Sequence, residues 1–276
     1  MVADRGRGAN PRSGSEAPRK GGYRLSTIVQ SMCFDLDSLP PVPPIAGAAV
    51  SHDDLELEAA DGNSFAAFHA TPDQPTGIGV VILPDVRGLY RFYEELALRF
   101  AERGHTAVAI DYFGRTAGVA KRGDDFPYRE HVEQTTQEGI QADVRAAVDF
   151  LRSPEGGGCR AIFTVGFCFG GSNSWNAAAS GHGLVGAVGF YGRPGRVERL
   201  ADIAAPVLAL MGGADEGIPR DEVEAFDRAL AAAGVEHEVE IYEGAPHSFF
   251  DRRYEEHAEA SADAWARVLA FLEKYS

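Results

Sequence analysis

The chain reads as an α/β protein: a mostly parallel sheet with helices on both faces. Three observations predict this. From residue 79 onward, short apolar stretches of strand length alternate with stretches of helical spacing. One of these strands runs into Gly166-Phe167-Cys168-Phe169-Gly170-Gly171, a glycine-pinched turn that opens a helix. The longest apolar run, Gly77–Pro84, is only strand-sized, so no segment reads as a membrane span.

Each element follows in order. Residues 1–24 are rich in Gly, Arg, Pro and Ser and are expected to be disordered. Residues 34–48, with Pro40-Pro41-Val42-Pro43-Pro44, are expected to run extended. Residues 1–48 are thus read as a disordered or extended N-terminal segment, and residues 49–276 as a single domain without internal repeat or linker. Leu55–Glu58 and Ser64–Ala70 alternate around Asp61-Gly62-Asn63, which predicts an antiparallel hairpin. Buried strands are expected at 79–83, 106–110, 160–165, 184–190 and 206–211, and an edge strand at 236–242. Helices are expected at 90–103 and 135–151, from Ser172 onward, at 220–233 and at 258–275.

The net charge of −15 argues against nucleic acid or an anionic membrane surface as partner. Residues 1–24 carry six Arg or Lys against two acids, so the rest of the chain is more acidic than the total. An anionic ligand would need locally placed arginines. The three cysteines, Cys33, Cys159 and Cys168, lack metal-type or CxxC spacing, which fits a reducing compartment. The N-terminus has no apolar core of a signal peptide, so a cytoplasmic location is expected.

The chemistry is expected at the C-terminal ends of the strands. A strand, Gly-x-nucleophile-x-Gly and a helix make a nucleophile elbow, here presenting the thiol of Cys168 at a helix N-terminus that favours thiolate. The bland alternative is a buried structural cysteine among incidental glycines. A thiol nucleophile needs a base and the base needs an orienting acid. Asp215 and His247 follow in the chain order of α/β-hydrolases, each just past a predicted strand. Glu216 is the rival acid. Acyl transfer also needs two N–H groups for the oxyanion, placed here at Phe169 and at Val86.

These residues resemble the dienelactone hydrolases (carboxymethylenebutenolidases), over roughly residues 50–275. The resemblance rests on Gly166-Phe167-Cys168-Phe169-Gly170-Gly171, Gly212-Gly213-Ala214-Asp215 and Pro246-His247-Ser248-Phe249-Phe250. It implies an α/β-hydrolase fold and hydrolysis of a small lactone or ester through Cys168, His247 and Asp215, without metal or cofactor. It also implies a carboxylate-binding arginine at Arg115 and an acid beside the resting thiol at Asp85, where the family has Glu. With Tyr191, these are the expected substrate-binding residues. A second family arginine would fall at Asp251, with Arg252 and Arg253 following it. The bland alternative for Arg115 is an ion pair with an acid such as Asp111 or Asp124.

Two other classes compete. A glutamine amidotransferase would want Glu two residues after the histidine, where this chain has Phe249. A non-catalytic binding protein on the same fold would be favoured by loss of a triad member, and none is lost. A general carboxylesterase or thioesterase shares the same machinery. Oligomeric partners cannot be read from the sequence.

Overall fold

The computed structural model describes residues 38–251 and 254–276. The expectations for residues 1–37, and the arginines Arg252 and Arg253, lie outside them.

The elements run β1 (Val50–Glu58), β2 (Ser64–Pro72), β3 (Ile78–Leu83), α1 (Arg91–Ala101), β4 (Thr106–Ile110), α2 (Gly114–Ala117), α3 (Tyr128–Val132) and α4 (Gln137–Arg152). They continue with β5 (Ala161–Phe167), α5 (Phe169–Ala178), β6 (Gly186–Phe190), β7 (Val207–Gly212), α6 (Arg220–Ala232), β8 (His237–Tyr242) and α7 (Ala258–Tyr275). The strands form one eight-stranded sheet in the order β1-β2-β4-β3-β5-β6-β7-β8. Only the pairings of β2 with β1 and β4 are antiparallel. The hairpin register, Leu57 opposite Phe65, follows from the Asp61-Gly62-Asn63 turn.

Residues alternating along each central strand feed opposite faces. Val80 and Ile82 of β3 join a core with Phe92, Leu96 and Phe100 of α1 and Val268 and Leu272 of α7. Val81 and Leu83 join Val144, Ala147 and Val148 of α4 on the other side. There Trp175 of α5 and Phe226 of α6 cover the β6–β7 end. The apolar spacing of α1 and α4, three or four residues apart, is what turns one stripe of each inward. Thr136 caps α4 by accepting from Gly139 N at 3.1 Å.

Three boundaries differ from the sequence reading. The elbow strand extends to Phe167 and its helix begins at Phe169, not Ser172, because no loop separates strand from helix. β1 begins at Val50: its polar residues 51–54 are exposed on an edge strand, which hides the alternation. The short α2 and α3 carry too few turns to show a period.

Candidate active site

Cys168 sits between β5 and α5 at φ 53° and ψ −110°, a conformation L side chains rarely adopt. The glycines enforce this. A Cβ on Gly166 would lie 1.9 Å from Gly170 O, and one on Gly170 would lie 2.0 Å from Leu83 O. Strand, turn and helix therefore close on one another only without side chains there. The Cys168 N–H donates to Phe190 O at 2.9 Å, which ties the elbow to the end of β6. Below it Phe167 stacks on Phe190 at 4.7 Å. Among the described non-glycine residues, positive φ occurs at Cys168, at Tyr191 (37°) and at Ser248 (61°). Each follows a strand end or His247, so backbone strain of about 1–3 kcal/mol per residue gathers at one place.

His247 is reached through the loop after β8. Its Nδ1 donates to Asp215 Oδ2 at 2.6 Å. Asp215 is fixed in turn, since its Oδ1 accepts from Gly217 N at 2.8 Å and Ile218 N at 3.2 Å. The loops after β7 and β8 brace each other, with Ala214 N donating to Ala245 O at 2.9 Å. Glu216, the rival acid, is exposed. The second ring nitrogen, Nε2, is buried and has no partner within ordinary hydrogen-bond limits among the described residues. Burial of the ring opposes its charge, but the negative charge of the Cys168 sulfur and the Asp215 bond outweigh this and push His247 up to about 10.

The loop after β3 carries Asp85, Val86 and Arg87. Val86 is buried, and its N–H donates to no other group among the described residues. Its neighbours shape the turn: Asp85 N donates to Tyr93 Oη at 2.9 Å, and Arg87 N donates to Asp85 Oδ1 at 2.7 Å. Gly88 lets the loop pass Asp111, whose Oδ1 would lie 2.4 Å from a Cβ there. Asp111 accepts from Leu89 N, from Phe113 N and from Arg122 Nη2, the last at 2.7 Å. This ion pair is buried, and the bonds of Leu89 to Asp111 and to the Arg122 N–H tie the loop after β3 to it.

Asp85 is buried, and its second oxygen accepts from Tyr90 Oη at 3.2 Å. Burial raises its pKa to about 6, while the Arg87 N–H and charge and the Tyr90 and Tyr93 hydroxyls work the other way. Tyr93, Tyr112 and Tyr191 are held well above the ordinary phenol range, first by burial, and the charge of Cys168 acts on all three. They surround the sulfur as neutral groups. Tyr191 packs its ring 4.9 Å from that of His247 and donates its hydroxyl to Asp251 Oδ2 at 2.7 Å.

Arg115 corrects the sequence reading. Its Nη1 donates to Asp143 Oδ2 at 2.5 Å, and its Nη2 and Nε donate to Asp61 Oδ2 at 2.7 and 3.1 Å. The fork is occupied by a fully buried acid of α4 and an acid of the β1–β2 turn, so it fastens those elements instead of facing a ligand. Asp111 and Asp124, the acids expected as alternatives, pair with Arg122 and Arg87. The sequence reading gave no role to Tyr90, Tyr93, Tyr112 or Arg87. The three-residue spacing of Tyr90, which precedes α1, and Tyr93 in its first turn was the available signal.

A thiol on a strained elbow, an Asp-bound imidazole and a mainly parallel eight-stranded sheet define an α/β-hydrolase. The dienelactone hydrolase family model matches residues 65–276, and the chain belongs to that family. It is therefore a hydrolase of ester or lactone bonds. The carboxymethylenebutenolidase of Rhodococcus opacus is 29% identical over 261 residues, covering 88% of this chain and 97% of its own. An Escherichia coli O157:H7 protein provisionally named a carboxymethylenebutenolidase is 30% identical over 257 residues, covering 86% of this chain and 94% of its own. A crystal structure from Klebsiella pneumoniae subsp. pneumoniae, provisionally described as a dienelactone hydrolase, superimposes with TM-score 0.73 at 28% identity. It covers 82% of this chain and 100% of its own. Among the described residues, no helix is long and apolar enough to cross a membrane.

Proposed function

We propose that the protein hydrolyses a small lactone or ester by a Cys168–His247–Asp215 triad through an acyl-enzyme. The observation that carries this reading is the joint geometry of Cys168 at φ 53° on a helix N-terminus and His247 held by Asp215 at 2.6 Å. The names of the relatives describe a butenolide bearing a carboxymethylene group, and a butenolide is a lactone.

In this reading the proton of the resting pair sits on His247, which leaves the Cys168 sulfur nucleophilic. The sulfur forms a bond to the carbonyl carbon, and the π electrons move to oxygen. The N–H groups of Phe169 and Val86 receive that oxyanion, one from the start of α5 and one from the loop after β3. Collapse breaks the carbon–oxygen bond, and the leaving oxygen takes the proton from His247 Nε2. Water then attacks the thioester, His247 accepts its proton, and collapse returns the thiolate. Asp215 keeps the imidazole in one tautomer throughout.

A panel of small lactones and esters, neutral and carboxylate-bearing, tests this with Cys168→Ala as control. The variant should lose about four to six orders of magnitude in kcat/KM while its melting temperature stays near that of the unmodified chain. Comparable turnover by Cys168→Ala would remove Cys168 from the chemistry.

A further inference from the structure

We propose that Tyr191 and Asp251 form a positioning pair for His247: Asp251 holds the Tyr191 hydroxyl, and the Tyr191 ring backs the imidazole into the orientation that serves both Asp215 and Cys168. The inference rests on the triad reading and deepens it.

A single hydrogen bond, from Nδ1 to Asp215, does not fix an imidazole ring. Packing against the ring face supplies a further constraint. Tyr191 supplies it, with ring centroids 4.9 Å apart and planes inclined at 51°. Tyr191 shares the backbone frame of the nucleophile. Its N–H donates to Leu210 O at 2.8 Å, and the preceding residue, Phe190, accepts from Cys168 N at 2.9 Å. A displacement of Tyr191 would therefore be felt at both His247 and the elbow.

Asp251 completes the loop that carries His247. Its N–H donates to Ser248 O at 3.2 Å, across a turn in which Ser248 takes φ 61°. That turn brings the Asp251 carboxylate back to the Tyr191 hydroxyl, 2.7 Å away. The histidine loop is thus pinned twice, by Asp215 to the end of β7 and by Tyr191 to the end of β6. Packing alone does not require the polar pair. Tyr191 is surrounded by Phe167, Phe190 and Phe249 at 6.3, 6.0 and 5.7 Å, where a phenylalanine ring would serve. A buried carboxylate and hydroxyl set among phenylalanines beside the nucleophile call for a role that depends on their hydrogen bond.

The test uses Tyr191→Phe, Asp251→Leu and Asp251→Asn in the full chain, since asparagine still offers Tyr191 an oxygen acceptor. Two readouts are taken: steady-state hydrolysis of an activated ester, and the rate at which iodoacetamide alkylates Cys168 at neutral pH. Tyr191→Phe and Asp251→Leu should each lower kcat about tenfold with KM changed less than about twofold, and slow alkylation by a similar factor. Asp251→Asn should recover most of that loss. The proposal is overturned if Tyr191→Phe leaves kcat and alkylation within about twofold of the unmodified chain. It is overturned equally if Asp251→Asn is as slow as Asp251→Leu, which assigns the effect to charge, or if the loss is confined to KM, which makes Tyr191 a substrate contact. Should Asp251→Leu not fold, the other two variants decide. Alkylation does not depend on ester turnover, so an unmodified chain that cleaves no ester overturns the hydrolysis reading and still reports on the pair.

Discussion

On the β5, β7 and β8 side of the site, backbone geometry does the positioning. Cys168 is held by glycines that admit no Cβ, and Asp215 by the N–H groups of its own turn. On the β3 and β4 side, charged side chains do it, through Asp111 with Arg122, Arg115 with Asp61 and Asp143, and Asp85 with the Arg87 N–H and Tyr90. The difference has consequences for variation. A backbone turn depends on residue types at fixed spacing and tolerates almost no substitution. An ion pair depends on which long side chain arrives first, and neighbouring acids can exchange partners.

The comparison can be broken or sharpened by mutation, and the largest kinetic effect is expected on the first side. Asp215→Asn should lower kcat by about 10²–10⁴-fold by favouring the wrong imidazole tautomer. Glu216→Gln, at an exposed position, should change it less than about twofold. If Glu216→Gln proves the more damaging, the acid is misassigned.

On the second side the losses should appear in stability. Asp111→Ala strips a buried guanidinium of its partner and frees the loops after β3 and β4. Denaturant titration should show a loss of about 3–5 kcal/mol. A loss below about 1 kcal/mol would mean that Arg122 finds another acceptor.

Arg115→Ala should cost about 1.5–3 kcal/mol, because Asp143 is left buried without its cation. The ratio of kcat/KM for a carboxylate-bearing ester to that for a neutral ester of similar size should move less than about twofold. A drop confined to the charged ester would restore Arg115 as a substrate clamp.

An effect of similar size at Asp85 depends on pH. Burial raises Asp85 from an ordinary carboxyl value near 3.8 to about 6, so the folded chain binds its proton more tightly than the unfolded chain. The stability this group contributes is present in full below 3.8 and lost as pH rises through about 6. Asp85→Asn keeps an acceptor for Arg87 N and avoids the buried charge. It should gain up to about 3 kcal/mol at pH 7.5 relative to the unmodified chain, and the gain should vanish near pH 4. A pH-independent difference would show that Asp85 is not the titrating group.

The same contrast explains what could be read from the sequence. Glycine spacing around Cys168, and the places of Asp215 and His247 just past apolar strands, encode backbone positions, and backbone positions are local. The sheet, its hairpin edge and the main helices were legible for the same reason. Arg115 was not, because its guanidinium lies several bonds from the chain and chooses among acids brought near by the fold. Asp61 and Asp143 are 54 and 28 residues away from it in sequence. The role of Tyr191 was hidden likewise, since its partner Asp251 lies 60 residues on.

Acyl transfer to Cys168 is the central claim, and one measurement reaches it directly. During turnover of an activated acetyl ester, rapid acid quenching followed by peptide mass spectrometry should find one acetyl group on the peptide containing Cys168. The adduct should appear within the first turnover and be absent in Cys168→Ala. Sustained hydrolysis with no adduct at Cys168, or with the acetyl group on another residue, would contradict the mechanism.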